Sequence, residues 1–360
     1  MGVFPAALTA AGKGTDVYLF LTGMMLLSEA ARHEGLFDAL ATYAVNAARG
    51  SPRRLFALVY AAGILTTALL SNDATAVVMT PAVLATARRA RTNPLPLLFV
   101  CAFVANAASF ILPISNPANL VVYGNRIPPL GPWLERLALP SIAAIVVTYA
   151  ALRWSQRRAL AGPCAAHLPL PSLTVGGWTA AAGIAVTAIA LPIASWFGVA
   201  LGVPTAICGV LTAASVAAMD RRALMPMLRG VQWAIVPLVA VLFILVEELM
   251  RSGMLHAASR WIENGVVIAV LANFINNLPT ALLARSVLEA AHASARVADS
   301  LLIGVDLGPN LCVSGSLATI LWLGVLRREH VRVSFGSFLR MGLLVMPPAL
   351  LAALGARSLF

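Results

Sequence analysis

Two short polar motifs interrupt apolar stretches of this sequence, about 205 positions apart. The first has the sequence N-D-A-T-A from Asn72 to Ala76, and the second has N-L-P-T-A from Asn277 to Ala281, so both fit the pattern N-x-x-T-A. Amide and hydroxyl groups donate and accept hydrogen bonds without carrying a charge. The pair of motifs therefore predicts a site that binds a neutral, polyhydroxylated solute.

A further polar interruption follows each motif. In the first half, residues 115–119 (S-N-P-A-N) follow Pro113, and in the second half, residues 308–316 combine glycines, a proline and serines. Proline unwinds a helix and frees backbone carbonyl groups, which can then contact a ligand. The candidate solute-binding residues of the four interruptions are Asn72, Thr75, Ser115, Asn116, Asn119, Asn276, Asn277, Thr280, Asn310, Ser314 and Ser316.

Two carboxylates, Asp73 and Asp306, lie at or beside these interruptions. An ionisable side chain inside an apolar segment is costly and indicates a functional site by default. We therefore expect these two residues to carry a coupling proton, although Asp73 has the structural alternative of capping the helix that follows it. Asp306 aligns with Asn106 at an offset of 200, so only one of the two related positions is charged. Glu29 is close to a helix end and is interpreted as interfacial.

The composition places these residues in a membrane protein. The chain has 360 residues, of which 60% are hydrophobic and 11% are charged, whereas about 25% of a soluble domain is charged. Several apolar runs reach the roughly 17–25 residues that a membrane-spanning helix needs. Examples are Gly177–Phe197, Val199–Met219, Val231–Glu247 and Gly336–Leu354. The sequence therefore predicts an all-α, polytopic protein embedded in a lipid bilayer.

The net charge of +11 does not indicate nucleic-acid binding, because the arginines form short clusters between the apolar runs and no single stripe. Cytoplasmic loops of membrane proteins are enriched in such residues. Counting crossings assigns fifteen arginines to the cytoplasmic face: 49, 53, 54, 88, 89, 91, 153, 157, 158, 221, 222, 229, 327, 328 and 332. It assigns six to the opposite face: 126, 136, 251, 260, 285 and 296.

The pattern divides the chain into two halves. We predict a first repeat over residues 1–160, with a hairpin at about 55–87 and a broken helix at about 95–123. A proline-containing linker at 161–176 leads to a second repeat over 177–360, with a hairpin at about 265–291 and a broken helix at about 301–326. The arginine distribution makes one hairpin open inward and the other outward. This is the organisation of inverted repeats with re-entrant hairpins, as found in secondary transporters.

At these residues the chain resembles the arsenite permease family of the ion transporter superfamily. The resemblance covers nearly the whole chain, from about Asp16 to Leu354, and the last pair of matching segments, which begins at Asp306, is the most specific. They are LLSNDATAVVMTP (Leu69–Pro81), ISNPANLV (Ile114–Val121), FINNLPT (Phe274–Thr280), DLGPN (Asp306–Asn310) and GSLATILWL (Gly315–Leu323).

The resemblance implies a multi-pass protein of the bacterial inner membrane that exports arsenite and antimonite in exchange for protons. It implies two inverted halves, and it makes a soluble ATPase subunit, which some members bind, a candidate partner. Some members carry a carboxylate where this chain has Asn106, or a lysine where it has Asn310. Relative to the family pattern, we expect one or two N-terminal helices to be missing.

Other functions remain open from the residues alone. Amides and unwound carbonyls also suit sodium, so a sodium-coupled carboxylate transporter or a sodium/proton antiporter is the alternative. An intramembrane enzyme is not expected, because no histidine lies in the four interruptions and no H-E-x-x-H motif is present. The four cysteines have no metal-ligand spacing, so neither a metal nor another cofactor is expected.

Overall fold

The computed structural model describes residues 12, 14–251, 264–291 and 293–359. All regular structure in these ranges is helical. Within them, five segments are long and apolar enough to cross a membrane: Leu130–Ser155, Val175–Trp196, Gly202–Met219, Arg221–Leu245 and Phe335–Ser358. The predicted class of all-α, polytopic membrane protein is thereby confirmed.

The α-helices are numbered in chain order. They are α1 (Thr15–His33), α2 (Leu36–Ala48), α3 (Pro52–Leu69), α4 (Thr80–Arg89), α5 (Pro94–Ala107), α6 (Pro117–Tyr123), α7 (Leu130–Ser155), α8 (Val175–Trp196), α9 (Gly202–Met219), α10 (Leu224–Gly230), α11 (Ile235–Arg251), α12 (Gly265–Ile275), α13 (Asn277–Ala290), α14 (Ala295–Leu307), α15 (Leu317–Arg328) and α16 (Phe335–Ser358).

A short break separates two helical arms in each of the two regions for which a hairpin is predicted. In the first, α3 is followed by a short break and then by a π-helix, Ala74–Met79, which runs into α4. Pro81 lacks the N–H that an α-helical turn would use, which favours the wider turn before it. In the second, α12 and α13 are separated only by Asn276, whose φ of 75° redirects the chain.

Two further pairs of helices, one pair in each half, are separated by unwound segments. In the first, α5 ends at Ala107 and α6 begins at Pro117, capped by the side chain of Asn116. In the second, α14 ends at Leu307 and α15 follows Ser316, which caps it. The second broken segment starts at Ala295, earlier than predicted, because the Ser294 hydroxyl accepts a hydrogen bond from Val297 N and extends the helix.

The two halves interlock through these elements. Helix α6 of the first half packs against α13 of the second, and α15 of the second half packs against the π-helix of the first. The long helices α7 and α16, one from each half, pack against each other. The two hairpin breaks and the two helix breaks are consequently drawn to the same level of the molecule. The opposite orientation of the halves, and their bounds as repeats, stay predictions.

The predicted linker is attached to the first half. The side-chain amide of Asn46 donates to Leu168 O (2.9 Å) and accepts from Leu168 N (2.7 Å). Ala165 N donates to Ala90 O at 2.8 Å. Helix α8 then begins at Val175, two residues before the predicted start of the second repeat, because the Thr174 hydroxyl accepts from Gly177 N.

Several of the arginines predicted for one face lie together. Arg88, at the end of α4, contacts Glu329 at the end of α15 with an Nη1–Oε2 distance of 3.0 Å. Arg153, at the end of α7, donates to Arg53 O at the start of α3. We call this end of the molecule the arginine-rich face. Arg260, predicted for the opposite face, lies outside the described residues.

Candidate functional site

The two hairpin breaks and the two helix breaks meet around one small cavity of about 10 Å³. Four polar residues line it: Asn72 and Asp73 from the first hairpin, Asn277 from the second, and Asn116 from the first broken helix. Leu317 and Ala318, the first residues of α15, complete the junction of the four breaks. Residues about 200 positions apart in the sequence therefore share one polar pocket.

The helices α13 and α15 begin at this cavity. The first residue of each, Asn277 and Leu317, lines the wall. The start of a helix presents backbone N–H groups without intrahelical partners and carries partial positive charge. Oxygen-rich groups of a bound solute are therefore favoured at these two ends, and no cationic side chain is needed to hold them.

Asp306 lies directly behind the cavity wall. It is fully buried, and its Oδ1 accepts a 2.8 Å hydrogen bond from Asn116 Nδ2. The oxygen of the Asn116 amide accepts from Ala118 N (3.0 Å) and so caps α6. Asp306 Oδ2 has no hydrogen-bond partner among the described residues. A change in the charge of Asp306 can therefore reach the cavity through a single side chain, that of Asn116.

Asn310 also lies behind the wall. Its Oδ1 accepts from Asn106 Nδ2 (3.0 Å), and its Nδ2 donates to Phe103 O (3.1 Å). Asn106 Oδ1 is buried and, within the described chain, has no partner. The sequence predicted Asn310 as a solute ligand, whereas the structure places it in a buried amide pair that joins the two halves.

Asp73 is the one carboxylate in the wall of the cavity, and it is partly buried. Its side chain makes no hydrogen bond within the part of the chain that the structure describes. The capping alternative is not observed: Asp73 has no capping hydrogen bond, and the hydroxyl of Ser71 accepts from Ala74 N instead (3.3 Å). Asp73 is therefore available to a solute or a proton.

The remaining predicted residues hold the breaks in shape. Thr75 Oγ1 lies 2.8 Å from Thr67 Oγ1 inside the first hairpin, and Thr280 donates to Asn276 O at 2.6 Å in the second. Asn119 donates to Ser109 O at 2.8 Å and thereby closes the first helix break. Others do the same: Ser115 donates to Ala68 O and accepts from Leu112 N, and Ser316 lies 3.0 Å from Thr319 Oγ1.

Ser314 is a predicted solute-binding residue that does not line the cavity. It is exposed, and its hydroxyl donates to Asn273 O at 2.9 Å. Asn276, also partly exposed, donates to Ser314 O at 3.3 Å. Both residues therefore connect the tip of the second hairpin to the second helix break, and neither lines the cavity.

Sequence reasoning missed a second buried carboxylate in α14, Asp299. It accepts hydrogen bonds of 2.8 Å from Arg136 Nε and Arg357 Nε, and a further one from the hydroxyl of Tyr123. Arg136, which counting crossings assigns to the face opposite the cytoplasm, lies inside α7. Part of this ion pair could have been predicted from the sequence. Asp299 lies two turns before Asp306 on the same helix, and a buried carboxylate needs a cationic partner.

The comparisons with known proteins agree with this architecture. A family model described as "Citrate transporter" matches residues 1–305. The arsenical pump membrane protein of Escherichia coli (strain K12) is 26% identical over 390 residues, which cover 99% of this chain and 89% of that protein. The protein of the same description from Yersinia enterocolitica is 26% identical, with 100% and 89% covered.

Two further proteins extend the comparison. A protein of Mycobacterium tuberculosis (strain H37Rv) described as an uncharacterized transporter is 24% identical and covers 93% of this chain and 83% of its own length. The crystal structure of the Alcanivorax borkumensis YdaH transporter superposes with a TM-score of 0.60 at 17% identity, covering 99% of this chain and 86% of that one. At that identity the likeness concerns the fold alone.

Proposed function

Because this chain belongs to the citrate transporter family, whose members are membrane transporters and not enzymes, we propose that it exports arsenite and antimonite from the cytoplasm. The full-length similarity to arsenical pump membrane proteins supports this choice of cargo. The protein is a multi-pass protein of the bacterial inner membrane, so the export step crosses that membrane.

The cavity at the junction of the four breaks is the observation that carries the proposal. Its polar lining consists of the amides Asn72, Asn116 and Asn277 and the carboxyl group of Asp73. None of the described residues that line it is Lys, Arg or His. Arsenite at neutral pH is the uncharged hydroxide As(OH)₃, which offers three O–H donors and three oxygen acceptors. Amide groups match both functions.

The size of the cavity supports a small cargo. The observed cavity measures about 10 Å³, room for about one water molecule, so a cargo of a few heavy atoms needs only a small widening of the four breaks, whereas a larger cargo needs much more. A tricarboxylate would bring several negative charges into a lining that has one carboxylate and no cation among the described residues. Burying a charge without a partner is costly, so the sodium-coupled carboxylate alternative is not favoured.

Uphill export of a neutral solute requires a coupled ion, and we propose protons. Asp73 lines the cavity, where it can release a proton before the solute binds. Asp306 can hold a second proton, and Asn116 transmits the change to the wall of the cavity and to the N-cap of α6. The interlocked breaks then expose the cavity to each side of the membrane in turn. A soluble ATPase subunit remains a candidate partner.

The proposal is tested by expressing the chain in an arsenite-sensitive bacterial strain that lacks its own exporter. Cells should accumulate less arsenite and antimonite than vector controls, and a protonophore should abolish the difference. Citrate uptake with and without sodium is measured in the same strain. Sodium-dependent citrate uptake without any change in arsenite accumulation would contradict the proposal.

A further inference from the structure

A second cavity, of about 30 Å³, lies beside the one at the junction of the four breaks. It is bounded by α1, by the break of the first hairpin and by the loop after α10. The two cavities share Leu21, Asp73 and Pro117 in their walls. Asp73 therefore lines both cavities, and the second cavity leads away from the junction of the four breaks.

Glu29 lies at the far end of this second cavity. Glu29, interpreted from the sequence as interfacial, is only 8% exposed and lines the cavity together with Ser28. Leu21, at the junction, and Glu29 are eight positions apart on α1. This separation corresponds to about 12 Å along the helix axis. The cavity thus extends from Asp73 toward the C-terminal end of α1.

Arg32 connects Glu29 with the surface. Its Nε donates to Glu29 Oε2 at 2.8 Å, and its side chain is 42% exposed. The backbone of Gly230 packs onto this ion pair, since a Cβ atom at Gly230 would clash with Glu29 Oε2 and lie 3.0 Å from Arg32 Nη2. The neighbouring Arg229 belongs to the set that predicts the cytoplasmic face. The ion pair therefore lies where the cavity approaches that face.

The lining of the second cavity can hold water. It includes the hydroxyl groups of Ser28 and Ser71 and the amide of Gln232, in addition to the two carboxyl groups. Buried water needs two to four polar partners and a polar space of sufficient size, and this cavity provides both. Among the described residues, Arg32 is the charged partner of Glu29, and Asp73 is the other charged group in the lining of the cavity.

We propose that this second cavity is the pathway by which the coupling proton leaves Asp73 for the cytoplasm, with Glu29 as its outer carrier. This inference rests on the proposed proton-coupled export. The O–H of a protonated Asp73 gives its proton to a cavity water, which passes a proton to the Glu29 carboxylate. Asp73 is left as a carboxylate, and Glu29, released from Arg32, passes the proton to bulk water.

The test uses the purified full chain in proteoliposomes. We expect Glu29→Gln to lower arsenite uptake driven by a pH gradient by about tenfold or more, because the variant cannot carry a proton. Exchange of labelled for unlabelled arsenite without a gradient needs no proton release and should stay at the wild-type level. Glu29→Asp, which keeps a carboxyl group, should retain part of the gradient-driven uptake.

The matched control is Glu34→Gln, five residues further along the chain. Glu34 pairs with His33 and lies outside the lining of the cavity, so gradient-driven uptake should not change. Gradient-driven uptake by Glu29→Gln at the wild-type level would overturn the inference. A wild-type protein without gradient-driven uptake would instead overturn the proposed function, so the two failures are distinguishable.

A second measurement does not depend on the behaviour of Glu29 variants. Ser28→Cys introduces a thiol into the lining of the second cavity, and a membrane-impermeant thiol reagent is added from the arginine-rich face. Labelling above the level of the four native cysteines supports a water-filled pathway. Labelling no greater than that of the wild type would contradict it.

Discussion

Asn116 donates a 2.8 Å hydrogen bond to Asp306, and this contact joins two residues that are 190 positions apart in the sequence. The amide of Asn116 has both of its ends occupied, because its oxygen caps α6 while its nitrogen binds the carboxyl group. Asn116 also lines the solute cavity. One side chain therefore touches the proposed cargo, the proposed proton carrier and the start of a helix.

The substitution Asn116→Ser separates these roles. Serine is the residue that caps α15 at the corresponding break of the second half, so the helix cap should survive. The hydrogen bond to Asp306 is lost, and removal of such a bond to a charged group costs about 1.5–3 kcal/mol. We expect gradient-driven uptake to fall more than arsenite exchange, because exchange loses only the amide contact with the cargo whereas uptake also loses the link to Asp306; both are measured in proteoliposomes. Equal loss of both activities would contradict a linking role.

Asp306→Asn removes the proposed proton carrier while keeping the size of the side chain. The amide can still accept the hydrogen bond from Asn116 Nδ2, so the fold should be retained. We expect pH-driven uptake of arsenite into inside-out vesicles to be abolished, with the elution profile in detergent unchanged. Unchanged transport would remove Asp306 from the coupling mechanism.

Asp299→Asn, on the same helix as Asp306, should lower the stability of the folded protein and should not act specifically on proton coupling. Asp299 is fully buried between Arg136 and Arg357, and breaking a buried ion pair from one side costs about 3–5 kcal/mol. We expect a large drop in the thermal unfolding temperature in detergent. Glu289→Gln is the control, because the exposed pair of Glu289 with Arg285 should contribute about 0–1 kcal/mol.

Asn72→Ala and Asn277→Ala test the wall of the cavity. Each removes an amide that lines it, so the apparent affinity for arsenite should fall by about fivefold to tenfold for each lost hydrogen bond. Equilibrium binding of arsenite to the purified protein measures this without any transport step. Asn93→Ala changes the same residue type at the exposed cap of α5, and its binding should equal that of the wild type.

The interruptions of the helices could be predicted because their causes are local. Pro113 and Pro117 cannot continue a helix, and Asn116 and Ser316 are good caps for the helices that follow them. The hairpins follow from the same kind of signal, a polar motif between two apolar arms. Hydrophobicity alone then assigns these elements to a bilayer.

The roles of single side chains within the site were harder to predict from the sequence. From the sequence, Asn72, Asn310 and Ser314 are all predicted to bind the solute. Of these three, only Asn72 lines the cavity. Asn310 is buried against Asn106, and Ser314 is exposed. All three lie at a break in a helix. The direction of each side chain depends on the path of the unwound backbone, which local propensity does not specify.

The sequence by itself determined the helices, their breaks and the polar character of the residues at those breaks, because proline, glycine, capping residues and apolar runs act over a few positions. Only the tertiary structure decided which of these residues meet. Asn116 reaches Asp306, Asp299 reaches Arg136 and Arg357, and Glu29 turns inward to a cavity shared with Asp73. These contacts arise from the packing of helices from distant parts of the chain, which fixes distances that no local pattern records.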